Sequence, residues 1–215
     1  MIQELYSKLN NNEFLAPGGI AYNFYIVPYE VRKEAETLAD IDHIVEDLRR
    51  PTDFIDVLSL DLFSVFLEYL DADKFGNQSR LAFLLDSDAR AESAYLHTNV
   101  TKSLFEKAHS EQFRDYVHAK IVAHFSQTDP VHKRPYVFLW GFGAMFPYLR
   151  ANEFLIAYEA VNDANLYKVI LFYPGTVRDG QFSLFGVLND QHAYRAQILE
   201  IESESKGTNH HGKTG

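Results

Sequence analysis

Two spacings of apolar residues alternate along the chain. Tyr22–Val27 is aromatic and β-branched, which predicts a strand that Pro28 ends. Between Glu30 and Arg50, Val31, Ala35, Leu38, Val45 and Leu48 recur at helical spacing, and Pro51 closes that helix. Phe54–Leu60 reads as a second buried strand, and Leu62–Leu70 is apolar on nearly every side, as a helix buried against a sheet would be. Gln78–Phe125 reads as helical. Its clearest face carries Phe105, Phe113, Tyr116, Val117, Ile121 and Phe125 within one helix over Thr101–Phe125, followed by the loop signal Gln127-Thr128-Asp129-Pro130.

The second half repeats the alternation. Tyr136–Trp140 predicts a third strand, and Gly141-Phe142-Gly143 turns it into a helix with Pro147 near its first turn. Lys168–Tyr173 predicts a fourth strand, stopped by Pro174-Gly175, while Phe182–Phe185 and Ala193–Ile201 are further strands that extend the sheet. Strands separated by helices imply βαβ units. The expected architecture is one three-layer α/β domain over residues 1–202, with a mainly parallel sheet, helices on both faces and additional strands near the C-terminus. A polar, Gly-bearing tail over 203–215 is expected to be flexible.

Composition narrows the chemistry. The 215 residues are 47% hydrophobic and 23% charged, enough apolar content for a buried core and unlike a disordered chain. Thirty Asp plus Glu against twenty Lys plus Arg give a formal net charge of -10, which disfavours unaided nucleic-acid binding. No cysteine is present, so disulfides, thiolate metal sites and cysteine nucleophiles are excluded. Neither a leader segment nor an apolar run of membrane-spanning length is visible, so a cytoplasmic location without membrane contact is expected.

Four motifs invite a chemical reading, and their surroundings decide against it. Gly207-Thr208-Asn209-His210-His211-Gly212-Lys213-Thr214 satisfies the P-loop pattern, but an acidic polar stretch precedes it and only Gly215 follows. The pattern needs a buried strand before it and a helix N-terminus after it, so the match reads as coincidental. Gly141-Phe142-Gly143 has the strand–helix context of a dinucleotide fingerprint, but Phe146 holds the third glycine position. Asp71, Asp73 and Gly76 suggest a calcium loop until Phe75 and Ala82 fall on ligand positions. Arg150 and Arg195 are cations within an apolar context and need partners; a structural ion pair is favoured over an incoming anionic group. No catalytic, cofactor or metal constellation emerges, and a non-enzymatic chain without cofactor is expected.

The run from Tyr136 through Trp140, Gly141, Gly143, Phe146, Pro147 and Leu149 to Arg150 resembles the hallmark of the BrxB family. The resemblance continues through Leu171-Phe172-Tyr173-Pro174-Gly175, Ser183-Leu184-Phe185-Gly186 and Tyr194-Arg195-Ala196, and spans about Tyr136 to Leu199. It implies a component of BREX, a bacterial phage-defence system that also contains a methyltransferase, a large ATPase and the phosphatase-like protein PglZ. It further implies a binding or scaffolding protein without an activity of its own, with other BREX proteins, PglZ foremost, as partners. A nucleotide- or nucleic-acid-binding regulatory module on a degenerate P-loop-like or Rossmann-like fold is the competing reading. In an open α/β sheet the crevice beyond the strand C-termini is the usual binding edge. Gly141, Gly143, Pro147, Arg150, Tyr173, Pro174, Gly175, Tyr194 and Arg195 are the candidate partner-binding or structural residues.

Overall fold

A computed structural model describes residues 2–10, 24–50, 55–90, 94–128, 133–161, 166–178, 181–190 and 196–199. In chain order the elements are α1 (Ile2–Asn10), β1 (Phe24–Tyr29), a single 3-10 turn over Val31–Lys33, α2 (Glu34–Leu48), β2 (Ile55–Asp61), α3 (Leu62–Ala72), β3 (Lys74–Phe75) and β4 (Gln78–Ser79). They continue as α4 (Arg80–Ala89), α5 (Ala94–Ala108), α6 (Glu111–Phe125), β5 (Lys133–Trp140), α7 (Phe142–Met145), α8 (Ala151–Glu159), β6 (Lys168–Arg178), β7 (Gln181–Leu184), β8 (Leu188–Asp190) and β9 (Ala196–Ile198).

Alternation along the strands builds the layers. β2, β5, β6, β1 and β9 lie side by side in that order, each pair parallel. Phe138, Ile170 and Phe172 point to one face, where α1 and α2 cover them with Leu5, Leu9, Ile41, Ile44 and Leu48. Val137, Leu139, Val169 and Leu171 point to the other, beneath Val65, Phe66, Phe113, Val117, Phe142, Phe154 and Leu155 from α3, α6, α7 and α8. Side chains that alternate faces and are buried on both sides are what a parallel sheet between two helical layers requires. The expected α/β class is therefore observed: a mostly parallel sheet between helices, with extra strands near the C-terminus.

Four boundaries differ from expectation, each for a physical reason. β1 runs through Pro28 to Tyr29, in register with β6. β9 pairs only with Phe24–Ile26, so Pro28 lies where one side of β1 has no ladder partner among the described residues. β6 likewise runs through Pro174-Gly175 to Arg178, because from Gly175 onward its partner becomes the antiparallel β7. The start of the helical middle is a small hairpin, β3–β4, with Ser79 capping α4 through the Ala82 amide at 3.1 Å. The single helix expected over Thr101–Phe125 is two: Ser110 Oγ accepts from the Phe113 amide at 3.2 Å and starts α6 afresh. Phe113, Val117 and Ile121 keep their shared buried face, while Phe105 falls on α5, half-exposed and 4.1 Å from the His109 ring.

Asp73, which invited a ligand reading with Asp71, is engaged within the fold. Asp73 lies 2.7 Å from Lys107 Nζ and 3.1 Å from Arg80 Nε, and these contacts, the Lys107 hydrogen bond foremost, hold its carboxyl below the usual range. No helix among the described residues is long and apolar enough to cross a membrane. Residues 200–215, with the polar tail and the P-loop match, lie outside the described residues, and so do Tyr194 and Arg195.

At the N-terminal end of β2, Asp56 joins the edge strand to the end of α6. His124 Nε2 lies 3.0 Å from Asp56 Oδ1, the Thr128 hydroxyl donates to Oδ2, and the charge of Arg49 is close by. Burial alone would raise this carboxyl, but the two hydrogen bonds and the neighbouring charges outweigh it and hold it below its ordinary value. A depressed carboxyl contributes stability that is present above its unfolded pKa, about 3.9, and is lost as pH falls through the folded value. Asp56→Asn should cost about 1–2 kcal/mol at pH 7, at the low end for a charged hydrogen bond because the site is partly open to water. Melting curves from pH 7 down to pH 2 should show the gap between wild type and variant closing below about pH 4.

Candidate functional site at the C-terminal edge of the sheet

Glycines, prolines and aromatics of the family-like run assemble where the parallel strands end. Asp61, the last residue of β2, caps α3: Oδ1 accepts from the Phe63 amide at 3.1 Å and Oδ2 from the Ser64 hydroxyl at 2.5 Å. Gly141 leaves β5 beside it with φ of 87°, and a Cβ there would sit 2.1 Å from Asp61 Oδ1. Within the expected turn Gly141-Phe142-Gly143, the left-handed residue is Gly141. Gly143 lies inside α7, and its missing Cβ instead makes room for its neighbours.

Those neighbours come from distant parts of the chain. A Cβ on Gly143 would stand 3.3 Å from the Phe185 ring, 3.5 Å from Pro174 and 3.8 Å from a carboxylate oxygen of Glu34. Phe185 follows β7 with φ of 56°, a left-handed backbone rare for a bulky residue. Its amide donates to the Pro174 carbonyl at 2.9 Å, and its ring meets Phe146 edge to face at 5.9 Å. Beneath, the Tyr29 hydroxyl donates to Glu34 at 2.9 Å. Burial first, and then the Glu34 hydrogen bond and charge, push the Tyr29 phenol well above its ordinary value, so it stays protonated.

The other candidates fall around this cluster. Pro147 is not in a helical first turn: α7 stops after one turn, and Pro147 follows a cis bond from Phe146, exposed, before α8 begins. Arg150 is the residue before α8, half-buried, with its guanidinium carbon 6.0 Å over the Phe146 ring. Its amide donates to Glu153 at 3.1 Å, and the same carboxylate oxygen lies 3.3 Å from His109 Nε2. Tyr173 is buried against Phe182, rings 5.5 Å apart. Gly175 is needed because a Cβ would come within 2.2 Å of the Ser183 carbonyl across the β6–β7 pair.

The structure thus brings Gly143, Pro174, Phe146 and Phe185 into one contact, with Arg150 at its margin and Gly141 one strand away against Asp61. The crevice where an open α/β sheet holds ligands is here occupied by the chain's own aromatic and proline side chains. Three partners were not singled out from the sequence. Asp61 carried a signal, an Asp directly before an apolar run, which marks a helix N-cap. Phe185 entered only through the family resemblance and Glu34 not at all, since the contacts that bring them to Gly143 are long-range in sequence.

The family described as "BREX protein BrxB" matches residues 58–199 of this chain. A "BREX protein BrxB" of Bacillus cereus (strain H3081.97) is 25% identical over 203 residues, covering 93% of this chain and 96% of that protein. No solved structure matches.

The two glycines separate conformational need from spatial need. Gly141→Ala combines a left-handed backbone with a collision that would dislodge the Asp61 cap, and should cost about 2–4 kcal/mol. Gly143→Ala sits in a helix against a ring that can shift by tenths of an ångström, and should change stability by about 1 kcal/mol or less. Thermal melts of both variants should rank them in that order; a larger loss for Gly143→Ala would contradict the assignment.

Proposed function

The chain belongs to the BrxB family and is a component of BREX, and on that footing we propose that it is a non-enzymatic member of this phage-defence system that works by binding its other proteins. PglZ is the favoured partner, and the cytoplasm the place of action. The observation that carries this reading is the filled crevice. Phe185, Pro174 and Phe146 occupy the position at which a related sheet would admit a substrate, and the Tyr29–Glu34 pair beneath them is committed to its own hydrogen bond. Apolar side chains also stand in water, Leu85, Ile156, Leu166 and Val187 each more than half exposed, and contact with a protein would remove such surface from solvent.

Co-expression of the tagged chain with PglZ, followed by affinity capture, tests the partner directly. PglZ should co-purify, and a BREX host lacking this chain should lose protection against phage until the chain is restored. Capture of another BREX protein without PglZ would redirect the partner assignment. Turnover of a nucleotide by the purified chain, or capture of no BREX protein at all, would overturn the reading.

A further inference from the structure

Beyond the sheet edge, β6, β7 and β8 form an antiparallel ribbon whose two faces differ in kind. Residues directly opposite in such a pair share a face. Val177 lies opposite Phe182, on the side where Phe182 meets Tyr173 and joins the core. Thr176 lies opposite Ser183, and Arg178 opposite Gln181, so two hydroxyls, an amide and a guanidinium share the other side. They line a cavity of about 300 Å3, completed by Phe182 and Gly186. Gly186 has φ of 74° and no atom within 4 Å of where a Cβ would be, which leaves the cavity mouth clear.

Arg178 is the cation among the residues that line this cavity. The chain carries a formal charge of -10, and Arg80, Lys107 and Lys120 each lie within ion-pair distance of a carboxylate. Arg178 has neither an ion pair nor a side-chain hydrogen bond among the described residues, although it borders a cavity whose other polar groups are donors. We propose that this cavity is a binding site for a small ligand carrying a carboxylate or a phosphate monoester. The guanidinium fork matches either oxyanion through two parallel hydrogen bonds, and the Thr176 and Ser183 hydroxyls and the Gln181 amide donate to its remaining lone pairs. The volume stands at the small end of ligand sites, and the net charge of the chain repels a polyanion while admitting a single anionic group. This proposal stands whether or not PglZ binds.

Nuclear magnetic resonance of the full-length 15N-labelled chain tests the site with two probes, inorganic phosphate and succinate, against sodium chloride of matched ionic strength. At least one probe should give saturable amide shifts centred on residues 175–186. Response to phosphate alone assigns a phosphate ester, response to succinate alone a carboxylate, and response to both the shared chemistry. Arg178→Gln should weaken binding about tenfold or more, the loss expected for a charged hydrogen-bonded anchor. It should leave the melting temperature unchanged, because Arg178 is exposed and unpaired. Arg32→Gln, another cation without a carboxylate partner, should leave the titration unaltered. Absence of saturable shifts with both probes at tens of millimolar, or an equal response in Arg178→Gln, would overturn the proposal.

Discussion

β6 outruns its neighbours, and most of what is distinctive about this molecule follows from that. Its first half, through Tyr173, is buried on both faces, and Val169–Leu171 is paired on both sides, to β5 and β1. A strand so placed is fixed by burial alone. Its second half has left the parallel sheet, and from Gly175 its amides and carbonyls are satisfied by β7 folding back against it. That return carries Phe185 over the strand ends, onto Pro174, Phe146 and Gly143, and closes the crevice that the parallel arrangement would otherwise leave open.

Glycine and proline therefore act here as packing residues more than as loop markers. Gly175 permits the close approach of the two strands, Gly143 admits the Phe185 ring, and Gly141 lets the chain leave β5 beside the Asp61 carboxylate. Of the described parts of the family hallmark, Gly143, Phe146, Pro174 and Phe185 gather at one place because they touch one another. This gives a physical account of the motif in a BREX component: its glycines, proline and aromatics pack against one another at the edge of the sheet.

Much of the fold was legible in the sequence. The buried apolar runs around Val57, Val137 and Val169 read as strands, and the apolar run after Asp61 as a helix packed on them. What escaped was set by tertiary contact. Prolines at 28 and 174 read as strand ends, yet each lies within a strand, Pro28 where one side lacks a partner and Pro174 where the partner changes. A helix over Thr101–Phe125 looked continuous because its apolar residues keep one spacing across His109–Ser110, and only the serine cap marks the break. The choice between Gly141 and Gly143 depended on Asp61, eighty residues earlier, which no local pattern indicates. That Glu34 and Phe185 would meet at Gly143 was invisible for the same reason.

The closed crevice is the central claim, and the stability of a Phe185→Ala variant measures it most directly. Alanine keeps the left-handed strain but removes the ring, so the variant isolates the contacts with Phe146, Pro174 and Gly143. The ring is half-buried, so equilibrium unfolding in urea should show a loss of about 2 kcal/mol or more, somewhat below the cost of emptying a fully buried phenylalanine site. A variant as stable as the wild type would mean that the ring stands in water and the crevice is open, and the account would fail.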